Sequence, residues 1–553
     1  MQFVKLRKAY LFLLFFILIT SFTVHFSTPE KTSAEKIKDI YVTTLSALQK
    51  KINLLKEDCI ANKKVNHLQE GFYECRELYK QISFLIEYFN PYETRLLNGP
   101  ALQRTEDDNP QTIIAPQGFQ VLEEILFQPW TKESYPDATN QLTKISEVLQ
   151  KLKVEPDFQY KFHDEPIFGS FSKGLIRIAT MDITGFDSPV AFNSLQEVLA
   201  TLDGISLCLN QYESVFNKKA PELFTNTIEQ IKQAKNYIAT NHSFENFDRL
   251  HFLKNYFNPL FSDLTTLRDK SGISYSDGLL PVNQLAKSIF DTNFFNVDFF
   301  SPNERYRMTP ERIELGRKLF FDPILSGNKK RSCASCHFPE KAFTDGLPTS
   351  ISIDEVSLLT RNSPTLINSV FQTKQFYDSR TSTLENQLSD VVHNSNEMKG
   401  SLENTIPELK NDNYYRTQFE KAYKNESDPI IKYNIANAIS SYIRSLIYFN
   451  SPFDEYMRGD DSKMTAAEKR GFNLFAGKAK CATCHYIHLF NGLVPPDFTE
   501  TESEVLGVPA SNSKKHSKLD DDLGKYNFTK SIVHKHAFKT PTLRNIELTA
   551  PYM

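Results

Sequence analysis

Cysteine is rare in this chain, and the positive and negative charges of the chain almost cancel. Only 7 of the 553 residues are cysteine and 12 are histidine. Outside the two motifs described next, no Cys/His pairs stand at the spacings of zinc ribbons or zinc fingers. The 64 Lys and Arg against 67 Asp and Glu give a formal net charge of -3, which offers no reason to propose a nucleic acid as a partner.

Four of the seven cysteines fall in two Cys-x-x-Cys-His motifs, Cys333-Ala-Ser-Cys336-His337 and Cys481-Ala-Thr-Cys484-His485. In this pattern the two thiols form thioether bonds to haem vinyl groups, and the histidine is the proximal iron ligand. One chance match at this composition is expected only about two times in a thousand sequences, and two are far rarer. A single copy is also compatible with a thioredoxin-like redox pair or half of a zinc site. The two copies together predict two covalently bound c-type haems.

The amino terminus has the composition of an export signal. Lys5, Arg7 and Lys8 precede the mostly apolar run 9–27, which has no charged side chain. A run of about 19 residues is also long enough for a membrane anchor. Residues 1–28 are therefore predicted to be a signal peptide or a membrane anchor, and both remain open. In either case we expect the rest of the chain in the periplasm, soluble or anchored to the inner membrane.

A helical pattern extends over residues 33–277. The i, i+3, i+4, i+7 spacing of one helix face occurs, for example, at Ile82, Leu85, Ile86 and Phe89. We predict an amino-terminal helical-bundle domain here, followed by a phenylalanine-rich linker over 278–307. Export would allow a disulfide between Cys59 and Cys75, and two buried free thiols are the alternative.

The rest of the chain is duplicated around the haem motifs. The first unit has Gly316-x-x-Leu319-Phe320 and Pro364-Thr365-Leu366-x-Asn368 on either side of its motif, and the second has Gly471-x-x-Leu474-Phe475 and Pro541-Thr542-Leu543-x-Asn545. Each unit opens with a helix-start signal, namely Thr309 before Pro310 and Thr465 with Glu468 as a capping box. We predict haem domains over 308–460 and 461–553 and an all-α fold throughout.

The helical domain contains the segment Pro116-Gln-Gly118-Phe-Gln120-Val-Leu-Glu123-Glu124. This segment resembles the Gly-x-His-x-x-Glu signature of imelysin-like helical domains, with Gln120 in place of the histidine. Since an amide is a poor metal ligand, neither metal binding nor peptidase activity is carried over. The alternative is that these are ordinary helix-surface residues.

A second series of motifs extends from residue 309 to 553. It includes Leu315-Gly-Arg-Lys-Leu-Phe-Phe-Asp-Pro, Ala342-Phe-Thr-Asp-Gly, Arg361-Asn-Ser-Pro-Thr-Leu, Phe376-Tyr-Asp-Ser-Arg380 and Phe538-Lys-Thr-Pro-Thr-Leu-Arg-Asn545. On these motifs, in this order, the chain resembles the bacterial di-haem cytochrome c peroxidase family, which includes the MauG-type enzymes. The resemblance covers nearly half of the chain.

The resemblance implies a role for each haem. The haem on His337 would bind peroxide, and the haem on His485 would accept electrons from a small donor such as a cytochrome c or a cupredoxin. Glu397 matches the family's distal glutamate, and Gln387 matches its distal glutamine. Cleavage of the O–O bond requires a proton on the leaving oxygen, which a positioned carboxyl can deliver. From residue type alone, Glu397 would instead be a solvated glutamate on a helix face.

Further roles follow from the same resemblance. Asn362 matches the side-chain ligand of a calcium ion between the haem domains, with the backbone carbonyls of Thr549 and Pro551 as the other protein ligands. Oxygen-only ligands suit Ca²⁺. Tyr377 takes the place of a tryptophan between the haems and would be an electron relay. The alternative is that Tyr377 only packs.

Two features depart from the family's pattern. Many relatives carry a distal histidine soon after the first haem motif, but no histidine lies between His337 and His393, and Asp354 falls near that place. We therefore predict an open, five-coordinate first haem that reacts without prior reduction. Relatives also continue beyond Pro-Tyr-Met into a segment with the second haem's distal ligand, so the second haem domain is predicted to be truncated at residue 553. The candidates for a stand-in distal ligand of the second haem are His488, His534 and His536. The alternative is that they are ordinary core or solvated histidines.

Together these features predict an exported di-haem cytochrome c peroxidase that reduces H₂O₂ to water. One alternative is a MauG-type oxidase that uses peroxide to oxidise a protein or small substrate. The other is a non-catalytic di-haem electron carrier. The expected cofactors are two haem c groups and Ca²⁺, and the expected partners are H₂O₂ and a small redox protein, with membrane anchoring left open.

Overall fold

The computed structural model describes residues 31–106, 109–154, 161–511, 513 and 515–552. The predicted signal peptide or anchor at 1–28 and Met553 lie outside these residues. Where the chain is described, regular secondary structure is almost entirely helical, which confirms the predicted fold class. Among the described helices, none has both the length and the apolar character needed to cross a membrane.

The amino-terminal domain is a bundle of helices with one short strand pair. Its elements are α1 (Ser33–Ile60), α2 (Val65–Phe89), α3 (Pro91–Asn98), β1 (Arg104–Thr105), β2 (Ile113–Ile114), α4 (Phe119–Phe127), α5 (Ser134–Val154), α6 (Asp164–Thr180), α7 (Ser194–Leu209), α8 (Glu213–Lys219), α9 (Pro221–Thr240), α10 (Arg249–Phe252) and α11 (Asn258–Ser271). Strands β1 and β2 are antiparallel.

The haem-motif half of the chain has shorter helices joined by long turns. Its elements are α12 (Pro310–Phe321), α13 (Leu384–His393), α14 (Leu402–Asn411), α15 (Asn413–Ala422), α16 (Lys432–Arg444), α17 (Pro452–Met457), α18 (Ala466–Ala476), β3 (Ser503–Val505), α19 (Tyr526–Thr529) and β4 (Ala537–Lys539). Strands β3 and β4 pair antiparallel, with Glu504 opposite Phe538.

Local sequence signals explain where the long helices begin and which face they bury. Helix α1 starts at a capping box in which the Thr32 hydroxyl accepts from the Glu35 backbone N–H and the Glu35 carboxylate accepts from the Thr32 N–H. Its buried stripe repeats at helical spacing through Tyr41, Leu45, Leu48 and Ile52, and it packs against α2 and α5. In α2, the predicted face is confirmed, since Ile82, Leu85 and Ile86 are buried.

The boundaries of the apolar cores differ from the domain boundaries that the two haem motifs suggest. One continuous core joins the helical domain to the second haem domain, which contributes Phe472, Ala476, Ile487, Leu489 and Leu493. A separate core lies inside the first haem domain, mainly between α12, α13 and α16. The segment 278–307 contributes Phe290, Phe294 and Phe295 to the shared core, so it is packed rather than a loose tether. The second haem domain is thus held on the helical domain.

The three cysteines outside the haem motifs are buried free thiols. Cys59 and Cys75 do not form the disulfide that export would allow. Burial raises the pKa of Cys59 to about 11 and the pKa of Cys75 to about 12, so both thiols stay protonated at neutral pH.

A buried ion pair holds α13 on α16, and breaking it should cost considerable stability. Arg444, which is fully buried, donates from Nη1 and Nη2 to the two carboxylate oxygens of Glu385 at 2.7 and 2.8 Å. Arg444→Met is expected to lower the free energy of unfolding by about 3–5 kcal/mol, because the Glu385 charge is left buried without its partner. Denaturant unfolding of the purified protein measures this.

The matched control for that variant is Arg317→Met. Arg317 pairs with Glu314 on the exposed face of α12, with more than half of each side chain exposed. A surface pair of this kind is worth at most about 1 kcal/mol. Equal losses of stability in the two variants would contradict a special role for the buried pair.

Candidate haem sites

The two Cys-x-x-Cys-His motifs fold in the same way. Each begins with a single 3-10 turn, Cys333–Ser335 in the first and Cys481–Thr483 in the second. The backbone N–H of His337 donates to the Cys333 carbonyl at 3.1 Å, and that of His485 donates to the Cys481 carbonyl at 3.0 Å. All four motif cysteines are free and at least partly accessible. Each motif therefore presents two available thiols and one imidazole from one tight turn.

The hydrogen bonds of the two imidazoles select the tautomer that a metal needs. His337 donates from Nδ1 to the Phe343 carbonyl at 2.9 Å, and His485 donates from Nδ1 to the Pro541 carbonyl at 3.0 Å. A carbonyl can only accept, so Nδ1 carries the proton and Nε2 keeps its lone pair. Burial lowers the pKa of both imidazoles and keeps them neutral. Both motifs fit a haem iron bound at Nε2.

The predicted duplication extends to the supporting contacts. In the first unit, Ala342 and Phe343 have left-handed backbone, and this turn brings the Phe343 carbonyl back to His337. The Thr365 hydroxyl then fixes the turn by donating to the Ala342 carbonyl at 2.7 Å. In the second unit, the Thr542 hydroxyl donates to the Leu489 carbonyl at 3.0 Å in the same way. The repeated Pro-Thr-Leu sequences thus hold equivalent turns beside the two histidines.

The structure brings the predicted glutamate Glu397 to the first haem motif. Glu397 lies in the turn that follows α13, half-buried, and Asn394 donates from Nδ2 to its Oε1 at 2.6 Å. Arg331, two residues before the motif, donates from Nη1 to the Glu397 backbone carbonyl at 3.5 Å. Burial raises the pKa of Glu397, while the nearby Arg380 opposes this rise. The alternative of a solvated glutamate on a helix face is wrong for this position.

Gln387 lies in the first turn of α13, on the same stretch of chain as Glu397. Its side chain is half-buried, and no hydrogen bond of its amide is found within the described part of the chain. The structure therefore places Gln387 in the first turn of α13 and Glu397 in the turn beyond the other end of this helix, where its backbone carbonyl contacts Arg331.

Tyr377 and Asn362 meet at the junction between the two haem domains. The Asn362 side chain lies beside the Tyr377 hydroxyl. Burial raises the pKa of this phenol, which stays protonated, and Asn362 opposes the rise. The Tyr377 carbonyl accepts from the backbone N–H of Lys539 in β4 at 2.7 Å. Tyr552, next to the predicted calcium ligand Pro551, is close enough to influence Tyr377 electrostatically. The predicted relay and the predicted calcium ligands thus occupy one region.

Acidic metal clusters are not found in the described residues. No group of three or more His, Cys, Asp or Glu side chains there is arranged to hold a metal ion. This does not test the predicted calcium ligands, because they are an amide and two backbone carbonyls. Thr549 lies near Tyr552 and directs its hydroxyl to that phenol and to the Asn545 carbonyl.

The distal-side candidates named from the sequence are engaged elsewhere. Asp354 caps its own exposed loop, where its carboxylate accepts from the Val356 and Ser357 N–H groups. His488 is a core histidine: four phenylalanine rings surround it, and burial lowers its pKa to about 3. His534 contacts the Thr529 hydroxyl, and His536 contacts the Asp522 carbonyl.

The sequence pattern did not reveal the ion pair between Arg361 and Asp522, which joins the two haem domains. Arg361 donates from Nε and Nη2 to Asp522 at 2.8 and 3.0 Å, and from Nη1 to Asp378 at 2.9 Å. Asp378 belongs to the first haem domain and Asp522 to the second. The only signal for this role is the position of Arg361 beside Asn362 in a family motif, because Asp522 is 161 residues away.

The alternative of ordinary helix-surface residues is also wrong for the imelysin-like segment. Gln120 and Glu123 are only 2% and 0% exposed. Gln120 donates from Nε2 to the Asn98 carbonyl at 3.0 Å. The Glu123 carboxylate accepts from the residues that connect α6 and α7. Both side chains point into the protein.

Comparison with known proteins agrees with this geometry. The family described as di-haem cytochrome c peroxidase matches residues 310–462. The MauG protein of Methylorubrum extorquens is 35% identical over 248 residues, which is 44% of this chain and 65% of that protein. The cytochrome c551 peroxidase of Pseudomonas aeruginosa is 33% identical over 245 residues, which is 44% of this chain and 68% of that protein.

A solved structure is similar over the same share of the chain. It is described as a MauG-like protein associated with microbial copper homeostasis and is 32% identical, with a TM-score of 0.42 over 46% of this chain and 74% of that one. The helical fold and the paired motifs define a di-haem protein. The chain belongs to the di-haem cytochrome c peroxidase family, whose named relatives are cytochrome c peroxidases and MauG proteins.

Proposed function

We propose that this protein is an exported di-haem cytochrome c peroxidase. The reaction is H₂O₂ + 2 e⁻ + 2 H⁺ → 2 H₂O, with electrons from a small redox protein. The haem that His485 would hold would receive these electrons, and the haem that His337 would hold would deliver them to peroxide. The observation that carries this proposal is the position of Glu397 at the first of two matched sites. Both motifs hold an imidazole with Nδ1 protonated, and the Glu397 carboxylate, held by Asn394, lies close enough to Cys336 to add to the rise that burial causes in the pKa of that thiol.

In this proposal each group of side chains has a separate role. When bound, the haems supply the iron that meets peroxide and the path by which electrons reach it. Cys333, Cys336, Cys481 and Cys484 would attach them, and His337 and His485 would hold the iron through Nε2. Glu397 moves a proton from one peroxide oxygen to the other: Asn394 holds its Oε1, which leaves Oε2 for the substrate. Its raised pKa favours a carboxyl that both accepts and returns a proton. Gln387 would orient the peroxide through its amide.

Tyr377 and Ca²⁺ belong to the same proposal. Tyr377 would relay electrons between the haem domains, and Asn362, the predicted calcium ligand, lies beside its hydroxyl. The Asn362 amide and the Thr549 and Pro551 carbonyls would hold Ca²⁺ there, since all three ligands are uncharged oxygens. This ion would keep the junction between the two haem domains rigid.

A MauG-type oxidase of a protein or small substrate is the second candidate. Two observations favour it: no histidine lies between His337 and His393, and Asp354 is occupied by its own loop. The first haem would then stay open in the oxidised protein.

Rapid mixing of the fully oxidised, haem-loaded protein with H₂O₂ tests both candidates. Stopped-flow absorbance should change quickly at the haem band without any reductant, because no distal histidine has to leave. The control is the same protein mixed with buffer. Absence of a change, even after one-electron reduction, would contradict a peroxidase and leave a di-haem electron carrier. A change only after reduction would contradict the open first haem.

A further inference from the structure

The loop between α6 and α7 reaches from the helical domain onto the second haem motif. We call residues 186–192 the bridging loop. Lys480 donates from Nζ to the Pro189 carbonyl at 3.0 Å and lies 4.3 Å from the centre of the Phe192 ring. Phe186 packs edge-on against Tyr486 at a centroid distance of 5.9 Å. Lys480 and Tyr486 directly precede and follow the motif, so the bridging loop contacts the haem attachment segment at both ends.

The shape of the bridging loop is fixed from inside by Glu123. The Oε1 atom of this wholly buried carboxylate accepts from the Val190 N–H at 2.9 Å, the Ala191 N–H at 2.7 Å and the Ser188 hydroxyl at 3.1 Å. Burial raises the pKa of Glu123 to about 7, so this carboxyl is only partly ionised at neutral pH and holds the loop chiefly by the number of its hydrogen bonds. One side chain therefore satisfies three donors of a loop that has no regular secondary structure of its own.

A buried ion network provides a second anchor for the same loop. Asp187 in the loop accepts from Arg177 and Lys80, and its backbone carbonyl accepts from Arg76. All of these groups are buried, and Asp187 is fully inaccessible. Because an unpaired buried charge is costly, the loop cannot detach at Asp187 without leaving these cations uncompensated. Loss of Glu123 would therefore loosen residues 188–192 while residue 187 stays in place.

We propose that Glu123 is a positioning residue for the second haem site. Through residues 188–192 it holds the Pro189 carbonyl and the Phe192 ring against Lys480, and so fixes the backbone that leads into Cys481. Second-shell hydrogen bonding and distortion of the macrocycle are among the factors that set a haem's reduction potential. The Gly118–Glu123 segment then supports the neighbouring haem domain and does not bind a ligand itself. This inference rests on the proposed function, because it requires a haem on His485.

Other contacts hold the two domains together without the bridging loop. Arg95 pairs with Glu500 at 2.6 Å, and Asn473 donates to the Asp248 carboxylate at 2.8 Å. The shared apolar core is also independent of the loop. A change at Glu123 should consequently alter the local contact at the haem motif and leave the domains associated.

The test uses the haem-loaded full chain and its Glu123→Ala variant. Amide hydrogen exchange should rise by at least about tenfold both in the bridging loop and in residues 480–486, since three hydrogen bonds to a buried carboxylate are lost. The midpoint potential of the second haem should shift while that of the first haem does not. Turnover with a reduced donor should fall, and the rapid reaction with peroxide should stay as in the native protein.

The matched control is Glu124→Gln, on the neighbouring residue of α4, which makes no hydrogen bond to the loop among the described residues. It should leave exchange and both potentials unchanged. Faster exchange confined to residues 188–192 in Glu123→Ala, with an unchanged second potential, would overturn the proposal and leave Glu123 a purely local role.

A second variant removes the contact from the other side in case Glu123→Ala fails to fold. Lys480→Met combined with Phe192→Ala deletes two exposed side chains of the contact. It should shift the second haem's potential in the same direction, and an unchanged potential would overturn the proposal. A chain with no covalent haem on the second motif would overturn the proposed function instead. In that chain, exchange in residues 480–486 would still report whether Glu123 positions the loop.

Discussion

Replacing Glu397 with glutamine is expected to lower peroxide turnover by about 10²-fold or more, within the range of about 10²–10⁴ typical of general acid–base catalysis. Glutamine keeps the size of the side chain and can still contact Asn394, but it cannot accept a proton and return it. Steady-state turnover with a reduced donor measures the loss, with the haem content of each preparation checked by absorbance. Native turnover in the variant would contradict the proton-relay role and favour a simple electron carrier.

The control for this variant is Glu403→Gln. Glu403 lies in the first turn of α14, about half exposed, with His393 and Lys432 as partners. Backbone and side-chain hydrogen bonds lower the pKa of Glu403 to about 2, so it is always ionised at neutral pH and is unsuited to exchange a proton. Turnover should be unaffected by this change, which separates loss of a carboxylate in general from loss of Glu397.

The pH profile of peroxide turnover should also differ between the native protein and the Glu397→Gln variant. Burial raises the pKa of Glu397, so the carboxylate that accepts the first proton is lost as pH falls through that raised value. Native activity should therefore decline on the acid side at a pH above the ordinary pKa of a glutamate. The Glu397→Gln variant should lack this decline in its residual activity.

Local signals in the sequence predicted local structure well. Thr309 accepts from the Arg312 N–H at the start of α12, and Thr465 and Glu468 form the expected capping box at α18. The two haem motifs also adopt the same turn, as their identical spacing implies. In each case the interacting groups are at most four residues apart, so the pattern itself contains the contact.

Contacts between distant segments were not predictable in this way. His485 donates to a carbonyl 56 residues further along the chain, and Glu123 accepts from donors 65 to 68 residues away. The division of the apolar core is of the same kind: the duplicated motifs suggest two similar haem domains, but the first has a separate core of its own, whereas the buried residues of the second belong mainly to the core of the helical domain. Periodicity shows which face is buried and not which partner covers it.

The pair of attachment variants should separate the roles of the two haems. Cys333→Ala with Cys336→Ala, and Cys481→Ala with Cys484→Ala, should each lower the covalent haem content from two to one, because each pair removes both thioether bonds of one site. The first pair should abolish the reaction with peroxide. The second should keep that rapid reaction and lose turnover with a reduced donor, since electrons no longer reach the first site.

Mass spectrometry of the denatured chain counts the haems, and stopped-flow absorbance follows the peroxide reaction. Cys208→Ala is the control, because Cys208 is a buried free thiol outside both motifs and its loss should leave two haems. Peroxide reactivity that survives in the first pair and disappears in the second would reverse the assignment of the two sites. Such a result would also place Glu397 beside the wrong haem for its proposed role, so the attachment variants and Glu397→Gln test the assignment independently.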